Sequence, residues 1–98
     1  NDSMVLGAKN ALVAAGKTDA LLVAAADGQK EALELIKTGE YGATGLNDPA
    51  LVATKAVDIA KQAIDGTLPA GMGKVSYTEP AVITKENVDT YYHADAVF

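Results

Sequence analysis

Cysteine is absent from this chain of 98 residues, and its absence removes three chemistries together. There is no disulfide framework, no thiolate nucleophile and no thiolate zinc site. Histidine is almost absent: His93 stands alone near the end of the chain, too little for a metal centre, and no metal or other cofactor is expected. Positive charge is scarce. Eight Lys and Arg residues face thirteen Asp and Glu, a formal net charge of −5. That balance is the reverse of what nucleic-acid phosphates or an anionic membrane surface select, so no nucleic-acid partner is expected. No apolar run approaches the roughly 20 residues that span a bilayer. Nor does any nucleophile sit beside a base, so the chain does not read as an enzyme. What remains is a chain with 49% hydrophobic residues, enough for one modest globular domain.

The most informative stretch is Ala24-Ala25-Ala26-Asp27-Gly28, where an apolar run stops at a carboxylate. The run Ala20–Ala25 reads as a buried parallel strand, because it is continuously apolar rather than alternating. After Gly28, Ala32, Leu33, Leu35 and Ile36 recur at helical spacing, which predicts a helix from about Gln29 to Thr38, stopped by Gly39. Asp27 therefore stands in a strand-to-helix turn, at the edge of an α/β sheet where ligands bind. The alternative is that Asp27 caps the helix that follows.

Around this turn the chain alternates. Asp2–Ala15 reads as a helix capped by Asn1 or Asp2, with Met4, Ala8, Ala11, Leu12 and Ala15 as its apolar stripe and Gly16 just past its end. Tyr41–Leu46 reads as a short second strand. Asp48 and Pro49 mark a helix start, and Pro49–Asp65 carries Val52, Ala56, Ile59, Ala60 and Ala63 on one face. Lys74–Thr78 and Ala81–Thr84 are short extended pieces separated by Pro80, and Lys85–Phe98 is a short helix or an ordered tail that Tyr91, Tyr92 and Phe98 dock onto the body. Alternation of this kind implies an α/β fold with a parallel sheet. Two good strands are few for three helices, and the opening Asn1-Asp2-Ser3 reads as internal, so the chain is expected to be the end of a larger fold. Gly16-Lys17-Thr18 is set aside as a phosphate loop, because that motif needs glycine where Ala11 stands. Glu31 and Glu34 read as a solvated helix face.

Five passages resemble one family in order and in compatible spacing. Asn1-Asp2-Ser3-Met4-Val5-Leu6-Gly7-Ala8 resembles the NDxMALGA helix start of bacterial periplasmic sugar-binding proteins of the ribose-binding type. Ala15-Gly16-Lys17 resembles the end of that helix, and Ala26-Asp27-Gly28 its GFDG turn. Ile36-Lys37-Thr38-Gly39-Glu40-Tyr41-Gly42-Ala43-Thr44 resembles IKxGKxxAT, and Val82-Ile83-Thr84-Lys85-Glu86-Asn87-Val88 resembles LVTKENV.

The resemblance implies a two-lobed, three-layer α/β protein with a sugar between its lobes, of which this chain is the C-terminal third. Residues 1–46 would belong to the second lobe, 47–73 would return to the first, and 74–98 would hold a hinge crossing and the tail. The remaining N-terminal part of the same protein would complete both lobes. The family's sugar contacts fall on Asn1, Asp27 and Asn47. The chemistry is consistent: an ionised carboxylate accepts from two hydroxyls of a neutral polyol, and an amide offers a donor and an acceptor. Two departures bear on the ligand. Ala26 replaces an aromatic residue, and Asn47 is one methylene shorter than the usual Gln, so a linear sugar alcohol suits the site as well as a pyranose. The implied partners are a sugar or sugar alcohol and the membrane permease of an ATP-driven importer, and the implied compartment is the periplasm. The alternative on the same fold is the effector-binding region of a sugar-responsive transcription repressor. The acidic charge and the passage Thr84–Val88 favour the transporter component.

Overall fold

The computed structural model describes residues 1–24 and 26–98. Ala25, the last residue of the first predicted strand, lies outside the described residues. The elements in chain order are α1 (Asp2–Ala14), α2 (Lys30–Thr38), β1 (Ala43–Gly45), α3 (Pro49–Ile64), β2 (Val82–Thr84) and α4 (Val88–Tyr91). They fall into two compact units, Asn1–Leu46 with Pro80–Phe98, and Asn47–Glu79.

The larger unit is organised by α2. Its stripe turns inward as the spacing predicts: Ala32, Leu33 and Ile36 are buried, and with Tyr41, Ile83 and Val88 they form the core. Gly39, at φ 85°, closes the helix in the left-handed conformation that glycine adopts without penalty. The chain then turns into β1. On one side β1 meets the 20–24 segment in parallel, through a bridge between Val23 and Ala43, and a second parallel bridge joins Asp27 to Leu46. On the other side it pairs antiparallel with β2, Thr44 opposite Ile83. After β2 the Asn87 side chain accepts from the Thr84 N–H at 2.8 Å and donates to the Val82 carbonyl at 2.9 Å, which turns the chain into α4. The tail docks on α2: the Tyr92 hydroxyl donates to Glu34 at 3.1 Å, and the Lys37 ammonium lies 4.1 Å from the Tyr92 ring centre.

Two expectations need correction. The 20–24 segment is not buried: Leu21 and Val23 are exposed, because β1 supplies a partner along one edge and nothing among the described residues covers these side chains. The inner face of α1 also differs from the predicted stripe. Met4, Ala8, Ala11 and Ala15 are exposed, whereas Asp2 is buried and Val5, Leu6, Lys9 and Leu12 are half-buried. The helix is apolar on two faces, and the hydrogen bonds of Asp2 decide which one turns inward. Gly16, at φ 69°, ends α1 as expected, with the Lys17 N–H reaching back to the Leu12 carbonyl at 2.9 Å. The Gly16-Lys17-Thr18 triplet is thus part of a helix stop.

In the smaller unit, Asp48 caps α3 by accepting from the Ala50 N–H at 2.7 Å, and Pro49 takes the first helical position, where no N–H is needed. No residue of α3 is buried; Val52 and Val57 are exposed and Ile59 is half-buried. Lys55 donates to the Tyr77 carbonyl, and Lys74–Thr78 forms no strand. Among the described residues no helix is long and apolar enough to cross a membrane.

Candidate functional site

The site is built at the start of two helices. Asn1 is the N-cap of α1, its side-chain oxygen accepting from the Met4 N–H at 3.1 Å. The next residue has a different task. Asp2 is fully buried. Its Oδ2 accepts from the main-chain N–H groups of Asp27, Gly28 and Gln29, at 3.0, 2.7 and 2.9 Å. Its Oδ1 accepts from the hydroxyls of Tyr41 and Thr44, at 2.8 and 2.7 Å. A carboxylate is an acceptor-only group with two oxygens, which is what five converging donors require. Beside it, Ser3 donates to the Gln29 side chain at 2.8 Å, a second tie between the starts of α1 and α2.

The electrostatics follow from this geometry. Burial alone pushes the Asp2 carboxyl up, but the hydrogen bonds from Thr44, Gln29, Tyr41 and Asp27 outweigh it and hold the group below its ordinary value. Burial, and then the hydrogen bond to the Asp2 anion, push the Tyr41 phenol far above its ordinary value, so it remains a donor.

Asp27 is half-buried and stands in the turn whose N–H groups Asp2 holds; the Ala26–Asp27 peptide bond is cis. Gly28, at φ 89°, lets the chain turn from Asp27 into α2, and a Cβ there would lie 3.4 Å from Ile83 Cδ1. The parallel bridge from Asp27 to Leu46 brings the end of β1 alongside the turn. Of the three predicted residues, Asn1 and Asp27 thus share the larger unit, linked through the adjoining Asp2. Asn47 is exposed and is the first residue of the smaller unit. Asp2, Tyr41 and Thr44 were not expected from the sequence as parts of this arrangement. The available signal was redundancy: Asn1 alone caps α1, which leaves the neighbouring acid without a local purpose.

Elsewhere in the larger unit a groove of about 150 Å³ is lined by Lys9, Leu12, Lys17, Leu22 and Glu40, and none of the three predicted residues lines it. Lys9 and Glu40 pair across it at 2.6 Å. His93 is exposed, and among the described residues no group of three or more His, Cys, Asp or Glu side chains could hold a metal ion.

Known proteins place this arrangement in context. Residues 1–68 match the family described as periplasmic binding protein domain. Among solved structures, the chain is similar to an ABC transporter periplasmic solute binding protein from Actinobacillus succinogenes with bound D-allose. The identity is 31%, the TM-score 0.79, and the match covers 93% of this chain and 31% of that one. It is also similar to the myo-inositol binding protein of Caulobacter bound to myo-inositol, with 32% identity, a TM-score of 0.69 and coverage of 92% of this chain and 30% of that one. The chain therefore spans about a third of the length of these proteins. No match is found among curated proteins. With the family matched over most of its length and two sugar-bound structures aligned over nearly all of it, the chain belongs to the periplasmic binding protein family, as a portion of that two-lobed α/β fold.

Proposed function

We propose that this chain is the C-terminal portion of a sugar-importer solute-binding protein, with Asp27, Asn1 and Asn47 contributing to one sugar site. The observation that carries this reading is the pair of similar structures that hold D-allose and myo-inositol, neutral polyols both. In the larger unit, the main-chain N–H groups of the turn that carries Asp27 are bonded by Asp2. Asp27 would accept from vicinal hydroxyls, and the two amides would each donate and accept. The division of the chain after Leu46 supports a hinge crossing there, with 47–73 belonging to the first lobe; residues 74–79 fall in the same unit as 47–73. Sugar contacts from both lobes would favour the closed state over the open one, and the closed protein would dock on a membrane permease at the periplasmic face.

The test is calorimetric titration of the full-length protein with D-allose and myo-inositol. Asp27→Ala removes hydrogen bonds to a charged group worth about 1.5–3 kcal/mol each, so affinity is expected to fall roughly 100-fold or more. Asp27→Asn, which keeps the shape and loses charge and acceptors, is expected to fall less. Unchanged affinity with a lowered melting temperature in Asp27→Ala would overturn the assignment and leave Asp27 a structural turn residue.

A further inference from the structure

The sugar reading leaves one buried charge without a role. Asp2 is fully buried, and among the described residues its carboxylate has no ion-pair partner; five hydrogen-bond donors stand in for one. Burying an anion this way is costly unless every lone pair is used. Capping does not account for it, since Asn1 already caps α1. What the five donors share is their position: three belong to the Asp27 turn and two to Tyr41 and Thr44, on either side of the strand start that lies alongside it.

We propose that Asp2 is the positioning residue of the sugar site. One oxygen fixes the main chain of residues 27–29, the other ties that turn to Tyr41 and Thr44, and the Asp27 carboxylate is thereby held ready for ligand hydroxyls. The proposal rests on the reading of Asp27 as a sugar ligand. It deepens that reading by naming the group that pre-organises the contact. A ligand-binding carboxylate on a turn gains affinity only if the turn is fixed before the ligand arrives, because ordering it on binding would consume part of the interaction. Asp2 does this through the main-chain N–H groups of residues 27–29.

Asp2→Ala can fail to fold, so the decisive variant is Asp2→Asn. An amide keeps the shape, offers one oxygen to the N–H groups, and lets the Tyr41 and Thr44 hydroxyls turn round and accept. The full-length protein is titrated with D-allose and myo-inositol in four forms: wild type, Asp2→Asn, Asp27→Ala and the double variant. Asp2→Asn is expected to weaken binding about tenfold, the low end of what removing an outer-shell partner costs a metal site. In the Asp27→Ala background it should change affinity less than about twofold, since the group it positions is gone. Amide hydrogen exchange at residues 27–29 should quicken in unliganded Asp2→Asn. Equal losses in both backgrounds, or full affinity in Asp2→Asn while Asp27→Ala binds weakly, would overturn the positioning role. Full affinity in Asp27→Ala would instead sink the sugar-ligand reading, and the proposal with it.

Discussion

The two hydroxyls on Asp2 Oδ1 make a perturbation whose sign and size can be worked from the structure. Tyr41→Phe removes a donor at 2.8 Å, and Thr44→Val one at 2.7 Å, from a carboxylate with no solvent exposure. Hydrogen bonds to charged groups contribute about 1.5–3 kcal/mol. Each single variant leaves Oδ1 one donor, so each is expected to cost about 1.5 kcal/mol. The double variant leaves Oδ1 bare in the core, and its cost should exceed the sum by roughly 1 kcal/mol, within the coupling seen for residues of one network. The pH dependence supplies an independent check. In the wild type the folded Asp2 carboxyl lies below the unfolded value near 3.9, so its stabilisation is present above about pH 4 and is lost as pH falls further. Without the two hydroxyls, two of the hydrogen bonds that oppose burial are gone, so the folded value rises relative to wild type. The folded double variant then binds more protons than folded wild type as pH nears 4, and gains less stability as pH rises. The deficit of the double variant relative to wild type should therefore be larger at pH 7 than at pH 4. Urea denaturation midpoints for the four proteins at both pH values measure all of this. Additivity within about 0.5 kcal/mol, or a deficit that ignores pH, would refute the view of Asp2 as a buried anion held by these hydroxyls.

Two further outcomes are expected. Gly42→Ala should lower the melting temperature, at a cost of about 1–3 kcal/mol, because its Cβ would stand 2.8 Å from Leu21 Cδ1 and 3.2 Å from the Leu22 carbonyl; a cost under about 0.5 kcal/mol would mean that the 21–23 segment yields freely. The 98-residue chain expressed alone should self-associate, since Leu21, Val23, Val57 and Ile64 are all exposed; a monodisperse, cooperatively melting monomer in sedimentation and thermal unfolding would count against this.

Much of the architecture was legible because local chemistry decided it. Asp48 and Pro49 start α3, Gly39 stops α2, and the inward stripe of α2 falls where its spacing puts it. The family was legible as well, through five short passages in register, and the match over residues 1–68 bears it out. The inner face of α1 was not legible. Of the predicted stripe only Leu12 is half-buried, beside Val5 and Leu6 from the neighbouring face; both faces are apolar, so periodicity does not choose between them. The choice is made by partners 25 to 42 residues away, which hydropathy does not encode. Lys74–Thr78, read as an extended piece, forms no strand: a strand exists only when an edge is there to pair with, and among the described residues none pairs with it.

The candidate site shows the same division between residue type and environment. Asp2 and Asp27 are both acids beside a helix start, and the sequence alone suggests the same local use, capping, for each. Burial separates them: Asp2 is fully buried and Asp27 half-buried. Five donors converge on Asp2 and account for its two oxygens, so it has little left to offer a ligand and much to offer the fold. Asp27 gives its N–H to that network and is half-buried at the turn. The two acids are therefore read as one device. The buried charge is tolerated because it is fully hydrogen-bonded, and through residues 27–29 it fixes the turn on which the proposed sugar ligand Asp27 stands.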